Sequence, residues 1–131
     1  MNHKGYLKES DCFYNVSYYF AWRVRDGTLF ETTAQRQDLL MILEQICDEY
    51  GYIVHDITYL PDSNSDVVLV FLSALPNVAP CDIVRTLKSI SMVRLLKTER
   101  VKEFYVKSGS LWEPSCFIST QPIDVRKGQI V

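Results

Sequence analysis

Residues 52–72 read YIVHDITYLPDSNSDVVLVFL: two apolar runs on either side of a polar, turn-rich stretch at 61–66. Pro, Asp, Asn and Ser are turn residues because they preset or tolerate bent backbone, so the stretch predicts a hairpin with a longish loop between strands at 52–60 and 67–72. The second run, Val67 to Leu72, is unbroken and β-branched, which predicts a strand buried on both faces.

Upstream of the hairpin, Thr32 followed by Gln35 forms a capping-box pattern, and Leu39, Leu40, Ile42, Leu43, Ile46, Cys47 and Tyr50 then recur at helical spacing until Gly51. Further upstream, Tyr14, Val16, Tyr18, Phe20, Trp22 and Val24 alternate with Asn15, Ser17, Tyr19, Ala21, Arg23 and Arg25, which predicts one long strand closed by an Asp26-Gly27 turn. Downstream, Pro80 suits a first helical turn and Asp82 favours its positive end, while Ile83, Val84, Leu87, Ile90 and Val93 supply an apolar face. A shorter helix around 97–106, a break at Ser108-Gly109-Ser110 and a strand at 115–120 complete the order. The expectation is an α+β, ferredoxin-like split βαβ sandwich, an antiparallel four-stranded sheet with helices on one face. Residues 1–131 form a single domain in this reading, with 1–12 a flexible lead and 121–131 a truncated tail.

The chain has 131 residues, nearly half of them apolar, enough for one core. No apolar run approaches the ~20 residues that span a bilayer, and no apolar region follows the charges of MNHKGYLKES, so a cytoplasmic protein with no membrane partner is expected. Cys12, Cys47, Cys81 and Cys116 show no CxxC pair and no histidines at zinc spacing, which points to reduced, mostly buried thiols. The net charge of −2 conceals a basic segment: Arg85, Lys88, Arg94, Lys97, Arg100, Lys102 and Lys107 are opposed between them only by Glu99 and Glu103. A focused basic patch on an acidic chain suits a polyanion, and a solvated helix face is the plain alternative.

Three segments, CDEYGYIVHDITYLPD (47–62), LSALPNVAPCDIVRTLKSIS (72–91) and LWEPSCFIST (111–120), are similar in order and spacing to the single-tyrosine HUH transposases of small bacterial insertion sequences. The likeness covers about residues 14–120. It implies a homodimer that recognises hairpins in single-stranded DNA and that cuts and rejoins the strand through a tyrosine nucleophile; for a chain reused only for binding, the ligand expected is hairpin DNA or RNA. It also implies a divalent ion held by a His-x-His pair on a strand. At the matching positions this sequence has Ser63 and Ser65 if Pro61-Asp62 is the anchor, or Val67 and Leu69 if Ser73-Ala74 is. A hydroxyl is a weak ligand and an alkyl group none. No tyrosine follows Tyr105, and Val125 stands four residues before Gln129, where the family's polar metal partner would fall. No catalytic residue is carried over, no cofactor is expected, and Mg or Mn would enter only if the family activity survives.

His55 is placed with Ile53, Ile57 and Tyr59 as a satisfied core or edge histidine, and Asp62 and Asp66 as turn formers rather than cation ligands. The nucleic-acid contacts expected are Arg85, Lys88, Arg94, Lys97, Arg100, Lys102, Lys107 and Trp112, the last either stacking on an unpaired base or packing in the core. The leading function is a DNA-binding member of the transposase family without strand cleavage. The alternatives are an active transposase with displaced or missing catalytic residues, and a dimeric ferredoxin-like interaction module that binds no nucleic acid.

Overall fold

The structure, a computed structural model, describes residues 7–9, 12–14, 16–25, 30–62 and 64–124, with side chains from Val16 onward. Two short strands, β1 (Leu7–Glu9) and β2 (Cys12–Tyr14), pair with each other antiparallel and stand apart from the main sheet. The main sheet takes β3 (Ser17–Arg23), β4 (Ile53–Leu60), β5 (Val67–Ser73) and β6 (Phe117–Ser119). The alternation from Tyr14 onward is therefore divided between two sheets, and the long strand expected there is instead β2 and β3. The Asp26-Gly27 turn, Ser63 and the tail from Val125 lie outside the described residues.

The sheet order is β4-β5-β3-β6 with every pair antiparallel, the arrangement of the split βαβ fold. α1 (Thr33–Glu49), α2 (Pro80–Leu95) and α3 (Glu99–Ser108) carry the apolar residues that close its core. Phe20, Trp22 and Val24 from β3 and Val68, Val70 and Leu72 from β5 meet Leu39, Leu43, Ile46 and Cys47 of α1 and Ile83, Val84, Leu87 and Leu95 of α2. Residues two apart on a strand share a face, so Tyr19, Ala21, Val67, Leu69, Phe71 and Ser73 look the other way. The core thus lies between one face of the sheet and the helices.

The helix ends follow their sequence signals. Thr32 Oγ1 accepts from the backbone N–H of Gln35 while the Gln35 side chain accepts from the backbone N–H of Thr32, the reciprocal capping box. At the other end Gly51 adopts φ 76°, the Tyr52 N–H donates to the Cys47 carbonyl at 2.8 Å and the Gly51 N–H to that of Asp48 at 3.3 Å. That is a Schellman closure, and the left-handed residue it needs is cheap only as glycine. Pro80 occupies the first turn of α2, as expected.

In β4 the register shifts between Val54, opposite Leu72, and Asp56, opposite Phe71. His55 is the extra residue, and one inserted residue reverses the facing of what precedes it. Ile57 and Tyr59 face the core, whereas the His55 ring lies against Phe71 and Ser73 on the opposite side. Its expected grouping with Ile57 and Tyr59 fails for that reason.

Candidate nucleic-acid interface

The basic segment becomes two consecutive helices, α2 and α3, joined by a short turn at 96–98. Burial of Ile83, Val84, Leu87, Ser91 and Leu95 fixes which side of α2 meets the core and so which side carries its cations. Arg85 is exposed, with its guanidinium 3.0 Å from Asp82 one turn earlier. Arg94 lies 2.7 Å from Glu49, tying α2 to the end of α1. Lys97, Lys102 and Lys107 are exposed, and Arg100 is half-buried.

Lys88 is differently placed. Its Nζ donates to the carbonyls of Glu113 at 2.6 Å, Pro114 at 3.3 Å and Ser115 at 3.4 Å, so the ammonium gathers the loop ahead of β6. Burial lowers its pKa, against the opposing influence of Cys116 and Glu113. The Lys88 carbonyl in turn accepts from Trp112 Nε1 at 3.0 Å. Trp112 is 3% exposed, edge-on to Trp22 at 6.0 Å and stacked with Phe30 at 6.3 Å. Of its two expected roles the structure takes core packing, and the base-stacking assignment of Trp112 is corrected: both a donor and the ring are engaged inside the fold. A Lys88 contact to phosphate would have to compete with three carbonyls.

Of the positions expected to match the family's histidines, the described ones are Ser65, in the loop between β4 and β5, and Val67 and Leu69, in β5. The Ser65 carbonyl accepts from Arg23 Nη1 at 2.7 Å, and Val67 and Leu69 are two apart on one face of β5. Asp66 is 1% exposed; its carboxylate accepts from the Tyr59 hydroxyl at 2.6 Å and from the Asp62 N–H at 3.2 Å. Asp62 is also paired with Arg23 at 2.7 Å. Both aspartates are therefore turn-forming groups. Tyr59 is pushed above its ordinary pKa of 10.0 by burial first, then by the hydrogen bond it gives Asp66 and that carboxylate's charge. Among the described residues no group of three or more His, Cys, Asp and Glu side chains converges on a metal position. The donor set does not fit the divalent ion that the resemblance implies.

The face of the sheet turned from the helices carries an arrangement that sequence reasoning missed. Tyr19 and Phe71 are register partners on the two central strands, their rings parallel within 3° and 4.1 Å apart. His55 continues the row, 4.7 Å from Phe71, with Nε2 2.7 Å from Ser73 Oγ, which is itself 2.7 Å from Ser17 Oγ. The period-two pattern places Tyr19 opposite in facing to Phe20, but only the strand register reveals its partner.

A helix-backed antiparallel sheet in this order, with cations along two consecutive helices, defines a ferredoxin-like α+β domain with a basic helical surface. The family profile of the IS200-like transposases matches residues 12–126, and the chain belongs to that family. Among solved structures it resembles a candidate transposase from Deinococcus radiodurans R1, with TM-score 0.77 and 22% identity over 93% of this chain and 91% of that one. It also resembles a REP-associated tyrosine transposase bound to a REP hairpin, with TM-score 0.56 and 12% identity over 93% of this chain and 67% of that one. These likenesses show the fold. No curated protein matches the sequence. Among the described residues no helix is long and apolar enough to cross a membrane.

Proposed function

We propose that this transposase-family protein binds hairpin or single-stranded DNA through the α2–α3 surface, as a homodimer, and does not cleave the strand it binds. The observation that carries the reading is the placing of Arg85, Lys102 and Lys107 on two adjoining helices, with Lys97 on the turn between them, in a chain whose net charge is −2. Neutralising phosphates there releases counterions, whereas the acidic remainder limits indiscriminate binding. The relative solved with a REP hairpin supports a folded-back strand as the ligand's shape.

Loss of cleavage rests on chemistry. Phosphodiester cleavage by a phenol requires an activated nucleophile and stabilisation of charge on the phosphate, and Ser65, Val67 and Leu69 offer no imidazole to hold an ion for the second. Titrating labelled hairpin DNA at increasing salt is expected to show binding with a negative log–log slope, and the matching RNA hairpin tests the sugar preference. Incubation with magnesium or manganese is expected to leave free DNA on a denaturing gel. A covalent protein–DNA band would overturn the inactive reading. Failure to bind any hairpin at low salt, with a stable dimer, would instead favour a protein-interaction module.

A further inference from the structure

Side chains around the last strand alternate in their packing: Phe117 lies with Ala21 and Val67 on one face of the sheet, while Cys116 and Ile118 pack on the other, toward the helices. Cys116 is half-buried there, on the wall of a cavity of about 410 Å³ between α2 and the segment 110–116. Val84, Met92, Trp112 and Pro114 give that cavity its apolar surface. Its charges are mixed: Arg85 and Lys88 are cationic, Glu113 is acidic, and the exposed thiol of Cys81 stands one turn before Arg85. Lys88 Nζ directs its donors to the carbonyls of residues 113–115, so it serves the cavity as a fixed charge, close enough to Cys116 for the two to interact electrostatically. Arg85 pairs with Asp82 at an exposed position, and such a pair is exchanged for another carboxylate at little cost.

We propose that Cys116 is a site of reversible thiol modification by a small peptide disulfide whose halves each carry two carboxylates and one ammonium, the charge set of glutathione. The two cations of the cavity match the carboxylates, Glu113 matches the ammonium, and the apolar wall takes the methylene stems of the ligand. Arg85 offers a planar fork to a carboxylate, whereas Lys88 contributes its field. The step is an exchange. The Cys116 thiolate attacks one sulfur of the disulfide, the bond between the two halves breaks, and a new S–S bond joins one half to Cys116. The other half leaves as a thiolate and takes up the proton that Cys116 released. The protein sulfur is oxidised and the leaving sulfur reduced, so the disulfide is itself the oxidant, and an excess of the reduced peptide reverses the step. Cys47, buried in the core, is out of reach of such a ligand. This site stands whether or not α2 and α3 bind nucleic acid.

The test incubates the folded protein near neutral pH with oxidised glutathione, with neutral hydroxyethyl disulfide or with dicationic cystamine, stops the exchange by alkylation and maps the adducts by mass spectrometry. The tryptic peptide 108–126 carries Cys116 alone, so its adduct is read without interference from Cys81. Each initial rate at Cys116 is divided by the rate of the same cysteine in urea-unfolded protein, which cancels the reagents' own reactivities. On this scale oxidised glutathione is expected to exceed both other reagents about fivefold, the effect of one contact between exposed charges, and high salt is expected to shrink that advantage. Arg85→Ala, at an exposed position away from the core, is expected to remove most of the advantage, and Arg85→Lys to restore part of it. Circular dichroism confirms that both variants are folded. A normalised rate for oxidised glutathione no greater than that for hydroxyethyl disulfide overturns the proposal, and so does an undiminished advantage in folded Arg85→Ala.

Discussion

Tyr59→Phe removes one oxygen and nothing else, and the structure fixes what that oxygen does. The hydroxyl donates at 2.6 Å to Asp66, a carboxylate 1% exposed whose other recorded donor is the Asp62 N–H at 3.2 Å. A hydrogen bond to a charged acceptor contributes about 1.5–3 kcal/mol, and its removal leaves a buried oxygen that water cannot reach. The ring contacts persist in phenylalanine: Phe30 is edge-on at 5.6 Å and the Arg36 guanidinium lies 5.3 Å from the ring centre. The substitution should therefore cost about 2 kcal/mol, almost all of it polar. For a chain of this length that lowers Tm by roughly 6–10 °C. Urea denaturation of Tyr59→Phe, Asp66→Asn and the double variant gives the coupling directly, and about 1 kcal/mol or more is expected between the two sites. A loss below about 0.5 kcal/mol for Tyr59→Phe, or additive single effects, would refute the argument that this buried pair fixes the loop between β4 and β5.

Alkaline titration tests the same group: because its folded pKa is raised, Tyr59 contributes stability present in full below pH 10.0 and lost as the pH rises above it, and Tyr59→Phe should flatten that part of a stability–pH curve. Burial first, and the Glu44 charge second, push the Cys47 thiol up to about 12, so Cys47 should resist a thiol reagent at pH 8 until the protein unfolds while exposed Cys81 reacts; equal labelling rates in the folded protein would contradict this. Lys97→Ala, Lys102→Ala and Lys107→Ala should each reduce the slope of log affinity against log salt by up to about one in hairpin titrations, with little change in Tm. Lys88→Met should instead lower Tm by loosening residues 113–115, and an unchanged melting curve would show that its three carbonyl contacts are dispensable.

Local signals in the sequence carried most of the fold. Thr32 and Gln35 announce the start of α1, Gly51 its end and Pro80 the start of α2, because each meets a backbone requirement that few residues satisfy. Long-range facts were less accessible. Nothing local in IVHDIT marks His55 as the inserted residue, since the bulge exists only relative to β5. Trp112 follows a Ser-Gly-Ser break and reads equally as a surface or core ring; its burial depends on Trp22 and Phe30, far away in sequence. Lys88 looks like its neighbour Arg85 in a charge pattern, yet loop 113–115 closes over one and not the other. Family membership was legible because segments 47–62, 72–91 and 111–120 keep their order. The aromatic row was not, because Tyr19 and Phe71 are brought together solely by strand register.

The inserted residue in β4 also bears on association. β4 is an outermost strand of the sheet and the longest, eight residues, with one side turned away from β5 and unpaired within the described sheet. A straight strand in that position invites copies of the chain to add to it edge by edge. The kink at His55 spoils the regular spacing such an addition needs, and the charge on Asp56 beside it makes close approach of a second identical strand repulsive. Among the described residues β4 is the longer of the two outer strands of the sheet, so the bulge and the carboxylate work against sheet growth where a second strand would have most to pair with.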